Sequence, residues 1–292
     1  MSDSAKASGL PLDLVRHWGL SDIVLIADTR TSLVYRAGHN GKSVIVKALK
    51  PEGIGERSGF EFLRWRNGKG AVRIIEQSGD IVLLEDAGTL LLRDYHGQAG
   101  DKEATKIVVD VLARLHIPSA SPLPPGLIPL HVHFRELFSL DTMQLALDLR
   151  DILVWCTDIA RELLAHQDDI KPLHGDLHHD NIIGHQQGGW RSIDPHGLIG
   201  DPAYDCANIF GNPLNAARLV LDQQRAIDLS RCFATALKCS PQKILRYAAA
   251  HAGLSCAWIL GRPLTPSGHT NLEERLGFAR LARFILLEQF VD

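Results

Sequence analysis

Apolar residues change their spacing once along this chain, and the change falls at Asp86-Ala87-Gly88. Ahead of it they come in short runs of strand length at 23–27, 32–36, 43–49, 71–76 and 80–84, rich in Val, Ile and Leu. Asn40-Gly41 and Ser78-Gly79 lie between neighbouring runs and are turn signals. One stretch in this part, 54–65, instead carries Phe60, Leu63 and Trp65 among charged residues and reads as a helix ended by Asn67-Gly68. Beyond the change, helical spacing recurs at 101–115, 133–138, 141–165, 222–237, 241–260 and 272–290. The five prolines of 117–129 mark a loop, and 170–210 is a Gly-, His- and Asp-rich segment with strand-like pieces at 181–183 and 190–193. The pattern predicts an α+β chain: a small antiparallel sheet lobe with one helix at 1–87, then a mainly helical lobe at 88–292.

Composition narrows the function classes. The 292 residues carry 31 Lys and Arg against 34 Asp and Glu, a net charge of -3, which argues against a dedicated nucleic-acid binder. No apolar run reaches the length of about 18 residues that a membrane span needs. The N-terminal stretch has neither the apolar core nor the small-residue cleavage site of a secretory leader. Five scattered cysteines without a CxxC pair read as reduced thiols of a cytoplasmic protein. The expected partner is a small molecule, with no nucleic acid and no membrane, and the expected state a monomer or weak dimer.

The richest local signal is His174-Gly175-Asp176-Leu177-His178-His179-Asp180-Asn181, in which an aspartate stands five residues before an asparagine; Asp194 follows thirteen residues later. Protein kinases use this Asp-x-x-x-x-Asn spacing with a second aspartate after a short hairpin. The residue types suit phosphoryl transfer. A carboxylate beside the attacking hydroxyl orients it and accepts its proton, while an amide oxygen and a second carboxylate hold a hard cation on nucleotide phosphates. Val44-Ile45-Val46-Lys47 ends an apolar strand in a lysine suited to phosphate oxygens, and Glu61 and Glu56 both compete to pair with it. Asp205 falls among Ala203, Cys206, Ala207 and Ile209, where a charge needs partners; bonding to backbone amides of the 174–181 loop is expected. Asp201-Pro202 reads as an ordinary helix start.

The stretches TSLVYR, VIVKALKP, FLRWRNGKGAVR, LLEDAG, HGDLHHDNI and IDPHGLIGDPAYDCAN together resemble the aminoglycoside phosphotransferase branch of the kinase-like superfamily. Within it the likeness is to streptomycin 6-phosphotransferases and the aminoglycoside/hydroxyurea resistance kinases. The resemblance implies a protein-kinase-like two-lobed fold with ATP (or GTP) and Mg²⁺ in the cleft. It implies transfer of the γ-phosphoryl group to a hydroxyl of a small molecule, an aminoglycoside such as streptomycin. Asp176 is similar to the catalytic aspartate, Asn181 and Asp194 to the Mg²⁺ ligands, and Lys47 to the lysine on the α- and β-phosphates, with Glu61 as its helix partner. Residues 84–88 resemble the hinge, where the backbone around Glu85 and Ala87 would bond an adenine. Two departures stand out. No GxGxxG lies between the first two strands; Asp28-Thr29-Arg30-Thr31-Ser32 stands there, similar to the hydroxyl-bearing turns of antibiotic kinases, so amides at Thr31 and Ser32 are the expected phosphate contacts. Asp194-Pro195-His196 replaces Asp-Phe-Gly, which argues against the conformational on–off control of regulated protein kinases.

A catalytic zinc site is disfavoured, because His178 and His179 are adjacent and point apart in most backbones and no HExxH is present. Asp180, Asp201 and the pair Glu273-Glu274 are candidates to hold guanidinium groups of an acceptor, although the pair also suits an exposed helix start. A kinase of an ordinary metabolite and a non-catalytic nucleotide-binding module use the same fold.

Overall fold

The computed structural model describes residues 9–185 and 188–288. Five antiparallel strands build the first part of the chain: β1 (Ser21–Asp28), β2 (Ser32–His39), β3 (Lys42–Leu49), β4 (Ile74–Ser78) and β5 (Ile81–Glu85), in the order β1-β2-β3-β5-β4. The β2–β3 hairpin closes at His39↔Lys42 around Asn40 and Gly41, both at positive φ, as a two-residue turn of right-handed twist requires. Lys47 therefore sits mid-sheet, opposite Val34 on β2 and Val82 on β5. Alternation along β3 gives the sheet two faces. Val44 and Val46 pack with Tyr35, Ala37 and Leu83 under Val15 and Trp18, the latter two from a short helix α1 (Leu12–His17) and its end. Ile45 and Lys47 face the other way, toward the rest of the molecule. Helix α1, which the apolar pattern did not reveal, thus covers the outer face.

Between β3 and β4 the expected helix is split. Pro51–Glu56 is a 3₁₀ turn, and α2 (Arg57–Arg66) follows, ended by Asn67 at φ +46. Phe60, Phe62 and Leu63 of α2 join Val82 and Leu84 in a core that runs without a break into the helical part.

That part holds α3 (Leu92–Ala99), α4 (Asp101–Leu115), α5 (Leu147–Ala165), α6 (Gln223–Leu237), α7 (Pro241–Leu260) and α8 (Pro266–Glu288), with shorter turns between. The 133–138 stretch is two single turns, Leu130–His133 and Arg135–Phe138, rather than one helix. Helix α8 starts at Pro266, before the expected 272, because Thr265 Oγ1 accepts from the Gly268 amide and Pro266 takes the first turn. Its expected end at Phe290 lies outside the described residues. Short strands β6 (Ile128–Pro129), β7 (Lys171–Leu173), β8 (Ile182–Gly184), β9 (Trp190–Ser192) and β10 (Leu198–Gly200) form a three-stranded sheet (β6-β10-β7) and a hairpin (β8-β9). These strands carry the loops that matter: 174–181 between β7 and β8, and 193–197 between β9 and β10. No described helix is long and apolar enough to cross a membrane.

Candidate active site

Lys47 is 7% exposed, so its charge must be matched within the protein. Its Nζ lies 2.8 Å from Oδ1 of Asp194 and 2.8 Å from Oε2 of Glu56. Burial alone would lower the lysine pKa, but the two carboxylates outweigh it and raise it, so the ammonium stays charged. Glu61 is not the partner: it pairs with Arg64 at 2.6 Å on α2 itself. Glu56 ends the 3₁₀ turn that precedes α2 and meets Lys47 there, whereas Glu61 lies a turn into α2 and is held by Arg64.

Asp194 is held at φ +53, a costly conformation for a non-glycine residue. Two glycines explain how it is held. A Cβ on Gly59 of α2 would stand 2.1 Å from the Pro195 carbonyl oxygen, and one on Gly197 2.0 Å from that of Ser58. Backbone thus packs directly on backbone, and the Ser58 hydroxyl donates to the His196 carbonyl at 2.6 Å. Helix α2 and the 194–197 loop form one unit.

The 174–181 loop is fixed from below by Asp205. This buried carboxylate accepts from the amides of His174 (3.1 Å) and Gly175 (2.7 Å), as expected from its apolar setting. Its 3₁₀ segment, Pro202–Gly211, is capped by Asp201, which is 1% exposed, accepts from the Ala203 amide and lies 2.5 Å from Lys243. Asp201 is therefore structural and cannot contact an acceptor. His174 is fully buried; its Nδ1 accepts from the Asp176 amide, so Nε2 carries the proton that goes to the Ile193 carbonyl at 2.9 Å. Burial pushes its pKa down to about 4 and keeps the ring neutral.

Asp176 and Asn181 meet at the top of this loop. The Asn181 amide donates to the backbone oxygen (2.9 Å) and Oδ2 (3.0 Å) of Asp176. Asn208, three residues after Asp205, donates to Oδ1 at 2.9 Å. Burial works to raise the Asp176 pKa, but the imidazoles of His196 and His178 hold the carboxyl below the usual range, so it is an anion at neutral pH. The Asn181 main chain accepts from the Ile193 amide at 2.9 Å, which ties this loop to the one bearing Asp194.

Lys47 and Asp194 share an apolar cavity of about 160 Å³ with Ile45, Val72, Ile183, Glu85 and Ala87. Its wall at residues 84–88 is stiffened by Asp86, which accepts from Arg36 (2.9 Å), Ser43 and the Gly88 amide. Thr31 and Ser32 stand apart from this cavity, and their amides are already bound by the Thr29 hydroxyl at 3.3 and 2.9 Å. The expected phosphate contacts at 31 and 32 thus need those bonds released. On the Asp176 side, His178, Asn208, Trp258, Asn271 and Arg275 line a cavity of about 210 Å³. Trp258 and Asn271 also line a larger one of about 460 Å³, which Glu274 enters. Glu273 is exposed, as a helix surface should be, whereas Glu274 is buried. Asn208 and Trp258 escaped the sequence reading; the signal for Asn208 was a polar residue in the register of Asp205 on an otherwise apolar segment.

The pattern that defines the aminoglycoside/hydroxyurea antibiotic resistance kinases matches residues 17–262. The chain belongs to that family. It is a phosphotransferase with a hydroxyl acceptor. A streptomycin 3''-kinase of Klebsiella pneumoniae is 38% identical over 213 residues, 70% of this chain and 76% of that protein. A streptomycin 6-kinase of Streptomyces griseus is 31% identical over 154 residues, 49% and 47% of the two chains. A solved choline/ethanolamine kinase family protein from Mesorhizobium loti superposes with a TM-score of 0.68 at 14% identity, covering 98% of this chain and 94% of that one. The architecture is the protein-kinase-like two-lobed α+β fold.

Proposed function

We propose that the protein moves the γ-phosphoryl group of ATP or GTP to a hydroxyl of streptomycin or a close aminoglycoside. The observation that carries this reading is the junction of two paired sets, Lys47 with Asp194 at 2.8 Å and Asn181 with Asp176 at 3.0 Å, through the Ile193–Asn181 main-chain bond. The nucleotide base takes the apolar cavity between a 1–87 lobe and an 88–292 lobe, against the backbone of Glu85 and Ala87. Lys47 neutralises phosphate oxygens. Asn181 through its remaining oxygen, and Asp194 through the oxygen not given to Lys47, are an all-oxygen donor set that fits Mg²⁺. When bound, that ion offsets phosphate charge. Asp176, anionic and clamped at both oxygens, orients the acceptor hydroxyl and takes its proton as the new P–O bond forms and the bond from the γ-phosphorus to the β,γ-bridging oxygen breaks, releasing the nucleoside diphosphate. Little covalent chemistry is asked of the protein, since positioning and charge neutralisation lower the barrier. Free thiols at all five cysteines suit a cytoplasmic setting.

Acceptor binding falls to the cavities lined by Trp258, with Glu274 as the carboxylate available to a guanidinium. Arg275 on the same wall favours a second reading: a small, less cationic hydroxylated compound, such as hydroxyurea. The test is incubation of the protein with ATP, Mg²⁺ and a panel of aminoglycosides, hydroxyurea and common metabolites. Mass spectrometry should find one added phosphate on streptomycin, and fragmentation should locate it. Turnover of hydroxyurea or a metabolite alone replaces the first reading. Asp176→Asn should lower turnover by about 10²–10⁴-fold with nucleotide affinity nearly intact; near-normal turnover removes the assignment of Asp176.

A further inference from the structure

The two adjacent histidines of the 174–181 loop point apart. His178 turns toward Asp176, its Nε2 lying 3.6 Å from Oδ2. His179 turns away, is 2% exposed, and has a buried Nδ1 with no hydrogen-bond partner. Its ring meets that of His96 edge-on, with centroids 5.4 Å apart and planes at 89°. Nε2 of His96 is also buried without a hydrogen bond, and Oδ1 of Asp101 lies 3.4 Å from it. Among the described residues, His96, Asp101 and His179 are the trio that brings one ligand atom each within 4.8 Å of the others.

Left alone, this arrangement is unfavourable. A buried ring nitrogen without a partner costs about 1–3 kcal/mol, and two of them occur side by side. The 3.4 Å separation of His96 and Asp101 is beyond the usual N–H···O range of about 2.7–3.2 Å. It matches the edge, about 3.4 Å, of a tetrahedron whose bonds to a central ion are about 2.0–2.1 Å long. The geometry points to a divalent transition-metal site of the Zn²⁺ class, ligated by His96, Asp101 and His179, with solvent in the fourth position.

The donor chemistry agrees. Two imidazoles and a carboxylate suit Zn²⁺, whereas Mg²⁺ wants oxygen. Arg225 donates to both oxygens of Asp101, at 2.9 and 3.1 Å, and fixes the carboxylate as outer partners of metal ligands do. The chain builds the corner simply: Gly100, at φ +85, ends α3 and begins α4, so His96 and Asp101 meet across one residue's turn. His179 opens the 3₁₀ turn His179–Asn181. An ion here cross-links α3 and α4 to the turn that presents Asn181.

The test reads metal rather than phosphotransfer, so it stands apart from the substrate question. Protein stripped with a chelator and kept in excess Mg²⁺ without nucleotide is titrated with Zn²⁺, and with Co²⁺ as an optical probe. The expected result is about one equivalent of Zn²⁺ retained through gel filtration with a rise in melting temperature, and Co²⁺ absorption bands of a four-coordinate site. His96→Ala, at a partly exposed position, should weaken Zn²⁺ binding at least about 10-fold and erase the bands. His131→Ala, at an exposed histidine elsewhere, should change neither. His179→Gln should behave as His96→Ala does; if it fails to fold, the His96 variant decides. No retained Zn²⁺ in the wild type, equal binding by wild type and His96→Ala, or an equal loss in His131→Ala each overturns the site.

Discussion

The side-chain amide of Asn208 donates to Oδ1 of Asp176 at 2.9 Å, while Asn181 holds Oδ2 at 3.0 Å. Both carboxylate oxygens are therefore fixed, and the group cannot rotate. Asn208 is itself oriented, since its Oδ1 accepts from Asn212 at 3.0 Å and Arg275 at 3.4 Å. Its amide is thereby assigned with nitrogen toward Asp176. Asn208→Ala leaves Asp176 in place but free to swing. The prediction is a fall in kcat of about 10–100-fold, with the nucleotide KM little changed and melting lowered only slightly. Steady-state kinetics decide it: a kcat close to wild type means Asn181 alone positions the carboxylate.

Glu56 and Glu61 make a matched pair of variants. Glu56 lies 2.8 Å from buried Lys47, whereas Glu61 serves a partly exposed pair with Arg64. Glu56→Gln removes one of two charged bonds on the ammonium, each typically worth about 1.5–3 kcal/mol. It is expected to reduce kcat/KM for nucleotide by about 10–100-fold. Glu61→Gln should change it by less than about twofold, in line with surface ion pairs. The reverse order would restore Glu61 as the partner.

How these residues became visible, or did not, follows from what each interaction depends on. The five strands, the Asn40-Gly41 turn and the Asp176–Asn181–Asp194 spacing are local, so pattern and turn chemistry reveal them. The role of Asp205 was legible because a charge among apolar neighbours must find partners. The Glu56 contact was not, because it depends on where α2 begins, and element boundaries are the least legible part of a sequence. Helix α1 stayed hidden because six residues give too short a pattern. At Thr31 and Ser32 the sequence did not show that Thr29, two and three residues upstream, accepts from both amides. Asn208 and Trp258 matter through contacts that only tertiary packing creates.

The contact between α2 and the 194–197 loop predicts unusual intolerance at two glycines. At Gly59 an added methyl would stand 2.1 Å from the Pro195 carbonyl oxygen, backbone that cannot step aside cheaply. At Gly197, φ is +67 and the intruding atoms are again backbone. Gly59→Ala should push the loop from α2, stretch the Lys47–Asp194 pair, and lower kcat by about 10-fold or more with a loss of stability of about 1–3 kcal/mol. Gly55→Ala is the control, because nothing lies within 4 Å of its added carbon. Equal activity and melting in the two variants would mean that the packing between α2 and the loop carries no weight.

Acid should weaken the fold through histidines that are buried as neutral rings. Burial pushes His133 and His179 down to about 3 and His174 down to about 4, from an ordinary value of 6.5. Between those values the unfolded chain binds protons that the folded one refuses, so stability rises with pH across that window. The contribution is complete above 6.5 and is lost progressively as pH falls through about 4 and then about 3. Each such group adds a slope near 1.4 kcal/mol per pH unit. Asp176, also depressed, acts with the same sign at lower pH. Denaturant unfolding at stepped pH, with chelator present so that no metal competes at His179, should show a steep decline below 6.5. His133 gives the internal check, because it is half-buried and its Nε2 lies 2.7 Å from the Tyr204 hydroxyl. His133→Gln should be less stable at neutral pH yet show a slope shallower by about one proton. A stability curve flat from neutral pH down to 5 would mean that these rings charge within the folded protein.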